Sequence, residues 1–518
     1  MKTSNLARSG TIVGLMTLLS RVLGFVRDQV LAIVFGAGSV TDVFLVAFKI
    51  PNFLRRLFAE GAFAQAFVPV FTEYRETRSR AALLDLAANV SGTLIVIVLL
   101  VSTAGVMLSP FLIMLFAPGF LDEPEKFDLA THMLRITFPY LFFVSLVAYA
   151  GNMLNTFGKF AVPSFTPVLL NVCMIGAALL LSPHFDVPIT ALAWGVFVAG
   201  AAQLALQVPF LRQIGLLPRP RWGWKHSGVQ RILKLMAPAI LGSSVAQINL
   251  LLDTIIASFL TAGSLSWLYY SDRLMEFPLG LLGVTLGTII LPRLSSEHAN
   301  AAPDQFRRTL DWALRLVLIL GVPSALALMI LAEPMLLTLF GYGEFTAHDA
   351  TMASYSLIAY SAGLPAFLLI KIFAPAFFAR QNTRTPVRIG IIALMSNMAY
   401  NLMFVMPMIW LDFVAPHTGL ALASSLAAWQ QALMLYRQLK AEDIYQLPAE
   451  LTSFSVRAVP AVIALGVALV FMTNINWQSA SAAARVSCLM LALAGGGVCY
   501  LIGLLAAGVR IRHLASPQ

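Results

Sequence analysis

Long apolar runs recur from one end of the chain to the other, separated by short stretches rich in charge, glycine and proline. At about 1.5 Å per helical residue, a run of about 20 residues matches a bilayer core of about 30 Å. Read at that length, the pattern predicts an all-α polytopic membrane protein with about fourteen transmembrane helices. Their centres fall near Gly24, Leu54, Ile97, Phe143, Leu170, Val198, Ser243, Leu281, Leu320, Ser361, Ala393, Ser425, Ala464 and Ala494. The first run, Thr11–Phe35, follows Lys2 and Arg8 and superficially resembles a signal peptide. It is too long, carries Arg21 and lacks a small-x-small cleavage site, so it reads as an uncleaved first helix.

Charge between the runs alternates. Basic connections hold Arg75, Arg78 and Arg80, then Lys159, then Arg219, Arg221 and Lys225. Further on come Arg293, Arg307 and Arg308, then Arg380, Arg384 and Arg388, then Arg437, Lys440 and Arg457. The intervening connections are acidic or bare, with Asp122, Glu123, Glu125, Asp128, Asp186, Glu344, Asp349 and Asp412. Positive-inside bias then puts both termini in the cytoplasm, where Lys2, Arg8, Arg510 and Arg512 also belong, and requires an even number of spans. Lys126 and Arg485 break the alternation.

A weak repeat adds organisation. NTFGKFAVP at Asn155–Pro163 follows the fourth span and NTRTP at Asn382–Pro386 follows the tenth, and each basic turn opens the next helix. Two six-helix lobes around a central cavity would place these turns equivalently, with the site at the midplane between halves. The expected divisions are 1–222, 223–440 and a final helix pair at 441–518. Convergence of two cytoplasmic turns on Asn, Pro and a basic residue is the alternative account of the match.

Composition agrees with a membrane protein: 59% of the 518 residues are hydrophobic and 11% charged. A net charge of +10 could suggest nucleic acid, but the basic residues are dispersed among apolar runs, so no nucleic-acid partner is expected. Cys173, Cys488 and Cys499 lie inside apolar segments without metal-ligand spacing and read as buried hydrophobes.

The charges inside the spans carry the chemistry. Arg21, Arg27 and Asp28 lie in the first span; Arg21 and Asp28, seven apart, share a face, with Gly24 between them. The second span holds Asp42, Lys49, Arg55, Arg56 and Glu60, with Pro51 expected to kink it before the arginine pair. The eighth opens with Ser266, Asp272, Arg273 and Glu276, and Pro278 repeats the kink. A charge at membrane depth costs about 2.5–3.5 kcal/mol on insertion scales, so it persists where it faces water or a partner. Pairing that merely holds lobes together is the structural explanation for any single residue. As a set, six cations against five carboxylates suggest a site for an anionic, phosphorylated substrate, because Arg binds phosphate bidentately and cannot lose its charge. The carboxylates could exchange partners as the lobes rock.

No Walker loop is visible, so no ATPase site and no enzymatic chemistry are expected. The seven histidines map to loops or span ends and read as surface residues. Asp253, Asn397, Asn401 and Thr418 (or Ser424) could supply oxygens for a hard cation such as Na⁺, although interhelical hydrogen bonding explains them more simply.

Three stretches, SRVLGFVRD at Ser20–Asp28, the long motif at Gly36–Pro69 and the one at Ser266–Pro292, closely resemble the bacterial MurJ (MviN) family. These are lipid II flippases of the multidrug/oligosaccharidyl-lipid/polysaccharide exporter superfamily, and the likeness covers essentially the whole chain. The resemblance implies a flippase that carries the undecaprenyl-pyrophosphate-linked peptidoglycan precursor outward across the bacterial inner membrane by alternating access. It matches Arg21, Arg27 and Arg273 to cavity arginines, Asp42, Arg55 and Arg56 to second-helix charges, and Asp272 and Glu276 to eighth-helix acids. It also implies a lipid-facing groove in the last helix pair, with membrane lipids and cell-wall synthesis proteins as further partners. No cofactor is expected; a Na⁺ or H⁺ gradient or the membrane potential would provide the drive. The alternatives are a multidrug/cation antiporter of the same architecture, against which the arginine majority speaks, and a membrane enzyme acting on polyprenyl phosphates, for which no acid/base set is visible.

Overall fold

Where water is absent the backbone must satisfy its own hydrogen bonds, and the apolar runs accordingly form helices. The computed structural model describes residues 3–56 and 62–509, and among these there is no strand. Nine helical segments among the described residues are long and apolar enough to cross a membrane. Backbone contacts divide the chain into two units, Met1–Gly263 and Ser264–Gln518.

The first unit comprises α1 (Thr3–Phe35), α2 (Ser39–Leu54), α3 (Phe63–Thr77), α4 (Arg80–Met107), α5 (Ser109–Phe116), α6 (Pro124–Thr137), α7 (Tyr140–Thr156), α8 (Ala161–Gly176), α9 (Thr190–Gln213) and α10 (Ser227–Ala257). Part of its core is an aromatic ladder on α3, where Phe63, Phe67 and Phe71 stack with centroids 5.1 and 5.0 Å apart. Tyr149 of α7 packs edge-on against the ladder and donates its hydroxyl to the Ala87 carbonyl at 2.7 Å. α1 lies along α8, while α10 packs against α3, α4 and α5.

Pro51, where a kink is expected, lies inside a continuous α2. The helix stays regular through Leu54 and turns π-helical at Arg55–Arg56. Proline has no N–H, so the carbonyl four residues earlier loses its helical partner. That carbonyl belongs to Ala47, and the Thr137 hydroxyl of α6 donates to it at 3.0 Å, both residues being fully buried. Thr137→Val should therefore destabilise the protein by about 1–3 kcal/mol, the penalty of a buried unsatisfied acceptor. Pro51→Ala, which restores the N–H, should erase most of that penalty in a double-mutant cycle of detergent melting points. Additive effects would show that the hydroxyl does not serve the proline gap.

The second unit holds α11 (Ser264–Ala299), α12 (Pro303–Leu316), α13 (Val322–Ile330), α14 (Ala332–Leu339), α15 (Ala347–Ala379), α16 (Arg384–Trp410), α17 (Thr418–Ala441), α18 (Ala449–Met472) and α19 (Ala482–Ala506). α11 remains one helix through Pro278 and Pro292. α15 is central, packed between α11 and α17. Gly363 lets α15 and α17 approach until an added Cβ would sit 2.8 Å from the Ser425 backbone, and Ser425 donates to the Ala359 carbonyl across that contact. Small-residue contact of this kind is how helices associate in lipid, where the hydrophobic effect offers little. On α18 and α19, Val459, Ile463, Val467, Leu501 and Leu505 remain exposed, as lipid-facing positions should.

Both exceptions to the charge alternation have structural partners. Lys126 is buried, donates to Glu123 at 3.3 Å and lies 4.5 Å from the centre of the Phe120 ring. Arg485 donates to the carbonyls of Trp477, Gln478, Gly341 and Leu337, tying the start of α19 to the end of α14. His417, expected at the surface, is completely buried between α16 and α17. It packs on Trp267 and donates Nε2–H to the Met352 carbonyl at 3.0 Å. Burial lowers its pKa from 6.5 to about 4, so the ring is neutral at ordinary pH.

Candidate functional site

The strongest polar arrangement inside the first unit is built on α1. Arg27 and Asp28 are both buried there, and the Arg27 fork closes on its neighbour, with Nε and Nη2 donating to Asp28 Oδ1 at 2.9 and 2.6 Å. Its Nη1 donates to Asn171 Oδ1 on α8 at 3.1 Å. Asn171 in turn donates to the Ser20 carbonyl at 3.1 Å, reaching α1 beside Gly24. The guanidinium is thus held by a carboxylate and an amide. Asn171 is not among the residues the charge pattern singles out. Its signal was present: an amide in the middle of an otherwise apolar span, which is rare in lipid without a partner.

Arg21 differs. It is exposed, and among the described residues it has no hydrogen-bond or ion-pair partner. Arg21 and Asp28, expected on one face, sit in different surroundings: one exposed, the other enclosed.

On α2, Asp42 is buried and accepts from the Gly263 backbone N–H at 2.7 Å, in the turn that precedes α11. Lys49 is half-buried, and Arg55, also half-buried, donates Nε to Asn52 at 2.8 Å. Arg56 is exposed at the π-helical turn. Glu60 lies outside the described residues, as do Lys2, Arg510 and Arg512.

In the second unit, Arg273 and Glu276 pair at 3.0 Å, and the guanidinium carbon lies 4.8 Å from the centre of the Tyr269 ring. The i,i+3 partner of Glu276 is thus Arg273, while Asp272 is half-buried and Ser266 fully buried. Asn401 donates to Asn397 Oδ1 at 3.2 Å, and Asn397 to the Ser424 hydroxyl at 3.4 Å, a chain of hydrogen bonds from α16 to α17. The Thr418 hydroxyl is buried without a hydrogen-bond partner among the described residues. Asp253, half-buried on α10, belongs to the first unit. Among the described residues no group of three or more His, Cys, Asp or Glu side chains is placed to hold a metal.

A model of the family described as lipid II flippase MurJ matches residues 31–487. The chain belongs to the MurJ family. A relative in Vibrio cholerae serotype O1, named "Probable lipid II flippase MurJ", is 50% identical over 99% of this chain and 98% of its own length. The Burkholderia cenocepacia protein named "Lipid II flippase MurJ" is 42% identical over 94% of this chain and 95% of its own. Among solved structures, MurJ in an inward closed conformation superimposes with a TM-score of 0.78 at 27% identity, covering 95% of this chain and 98% of that one. An inward-facing multidrug resistance transporter of the MATE family, in the MOP superfamily, gives 0.63 at 13% identity, covering 82% of this chain and 95% of that one. At that identity the MATE likeness shows a shared fold and nothing of its cargo. In this MurJ-family chain, α1 thus carries the exposed Arg21 and the buried Arg27–Asp28 pair.

Proposed function

We propose that this protein is a lipid II flippase, carrying the lipid-linked peptidoglycan precursor from the inner to the outer leaflet of the bacterial inner membrane by alternating access. The observation that carries this reading is an unpaired arginine beside a fixed one on a membrane-length helix of a MurJ-family chain. Arg21, Arg27 and Arg273 would bind the pyrophosphate and nearby sugars, with Arg55 and Arg56 contributing charge. Asp42, Lys49, Asp272 and Glu276 would exchange partners during opening and closing. The full reading includes fourteen spans in two lobes (1–222 and 223–440), a cationic central cavity and the pair at 441–518, whose exposed apolar faces suit a polyprenyl tail. Leaving the tail in lipid avoids most of its transfer penalty, so only the polar head group needs a cavity. Drive would come from an ion gradient or the membrane potential, and the basic turns at Arg80, Lys159 and Arg308 would face the cytoplasm with both termini.

Depletion tests this reading in cells. Lipid-linked precursor should accumulate with its head group shielded from external reagents, and Glu123→Cys should react with an impermeant thiol reagent while Lys159→Cys does not. An antiporter would instead leave the precursor distribution unchanged and alter drug sensitivity.

A further inference from the structure

Apart from the charged residues of α1, the first unit holds a crevice that the proposed transport cycle does not use. A cavity of about 240 Å³ opens between α3, α4, α7 and α10, lined by Phe63, Leu94, Ile97, Ile232, Leu233 and Met236 among others. It has two polar lining residues, and both are satisfied: Ser145 donates to the Leu141 carbonyl, and the Thr93 hydroxyl accepts from the Gly223 N–H at 3.1 Å. Nothing in the wall asks for a polar ligand.

The length of the crevice is informative. It follows α4 from Val90 to Val101 and α10 from Val229 to Ile240. Eleven residues at about 1.5 Å each give roughly 16 Å, about half of a 30 Å bilayer core. That is the reach of one acyl chain in one leaflet.

The rim supplies the other half of an amphiphile. The Thr93–Gly223 bond pins the turn that carries Trp222 and Trp224 to the cavity edge. Gly92 allows the approach, since an added Cβ would collide with the Arg221 backbone at 2.1 Å. The two indoles stack 6.0 Å apart and are 58% and 47% exposed, as interfacial tryptophans are. Beside them Arg219 and Lys225 are exposed and, among the described residues, unpartnered, whereas Arg221 lies 3.8 Å from Asp85.

We infer that this crevice binds an anionic phospholipid of the leaflet on the basic side, with one acyl chain between α4 and α10 and its phosphate at Arg219 and Lys225. Charge complementarity at the rim selects an anionic head group, and the single-leaflet length selects a phospholipid chain over a longer polyprenyl tail.

The test uses the full chain in phosphatidylcholine vesicles containing phosphatidylglycerol with a diazirine on one acyl chain. Photo-cross-links should concentrate at 90–101 and 229–240, and unlabelled phosphatidylglycerol should compete where extra phosphatidylcholine does not. Leu94→Trp, which fills the cavity, should abolish these cross-links. The surface pair Arg219→Glu with Lys225→Glu, which leaves the core untouched, should reduce them by at least about tenfold. Cross-linking spread evenly over the lipid-facing helices, or unchanged in the charge-reversed pair, would overturn the inference. So would equal competition by phosphatidylcholine. Displacement by undecaprenyl pyrophosphate would also overturn it, by making the substrate tail the occupant.

Discussion

Arg21→Ala should abolish growth when it is the only copy in the cell, while the protein should still insert and melt like the parent. The side chain is exposed and has no protein partner among the described residues, so its removal deletes a ligand contact and little else. Arg27→Ala should lose function for a second reason. It takes the guanidinium away from the buried Asp28 carboxylate and leaves the Asn171 amide short of a donor. Removing one partner of a buried pair costs about 3–5 kcal/mol, so this variant should also melt earlier in detergent. Arg27→Lys keeps the charge but cannot satisfy Asp28 and Asn171 together, and should recover stability only in part. Complementation and thermal melts on the same purified variants separate the two effects. If Arg21→Ala supports normal growth, the head-group assignment fails.

Arg485→Ala should loosen the C-terminal helix pair. Four backbone carbonyls lose their charged donor at once, two of them at the end of α14 in the body of the second unit. A hydrogen bond to a charged group is worth about 1.5–3 kcal/mol, so a loss of at least about 2 kcal/mol is expected. Lysine, a point donor on a flexible stem, cannot span all four carbonyls and should rescue poorly. Faster proteolysis in the connection between α17 and α18, together with an earlier melt, is the expected result. An unchanged cleavage rate would show that the pair is held by its apolar contacts alone.

The sequence made the helices legible because lipid demands long uninterrupted apolar runs, and it made the first-span charges legible because such residues are expensive in lipid. Partner choice was harder to read. Spacing placed Arg21 and Asp28 on one face, yet Arg27 took Asp28, because an adjacent guanidinium can fold back onto a carboxylate that is itself buried. Asn171 lies 144 residues away from Arg27 and carries no charge, so charge patterning passed over it. At Pro51 the Thr137 hydroxyl fills the carbonyl gap that the missing N–H leaves, and the helix turns π-helical at Arg55. Lys126 and Arg485 broke the loop-charge rule because each serves a local partner instead of marking a membrane side. The loop position of His417 suggests exposure, whereas the start of α17 is packed against Trp267.

The central claim is that this chain moves a lipid-linked pyrophosphate head group across a bilayer. The direct measurement uses purified protein in vesicles with head-labelled lipid II in both leaflets and an impermeant quencher outside. With the parent protein the protected fraction should become accessible with time, and Arg21→Ala vesicles should behave like protein-free ones. Equal accessibility in parent, Arg21→Ala and protein-free vesicles would contradict the account.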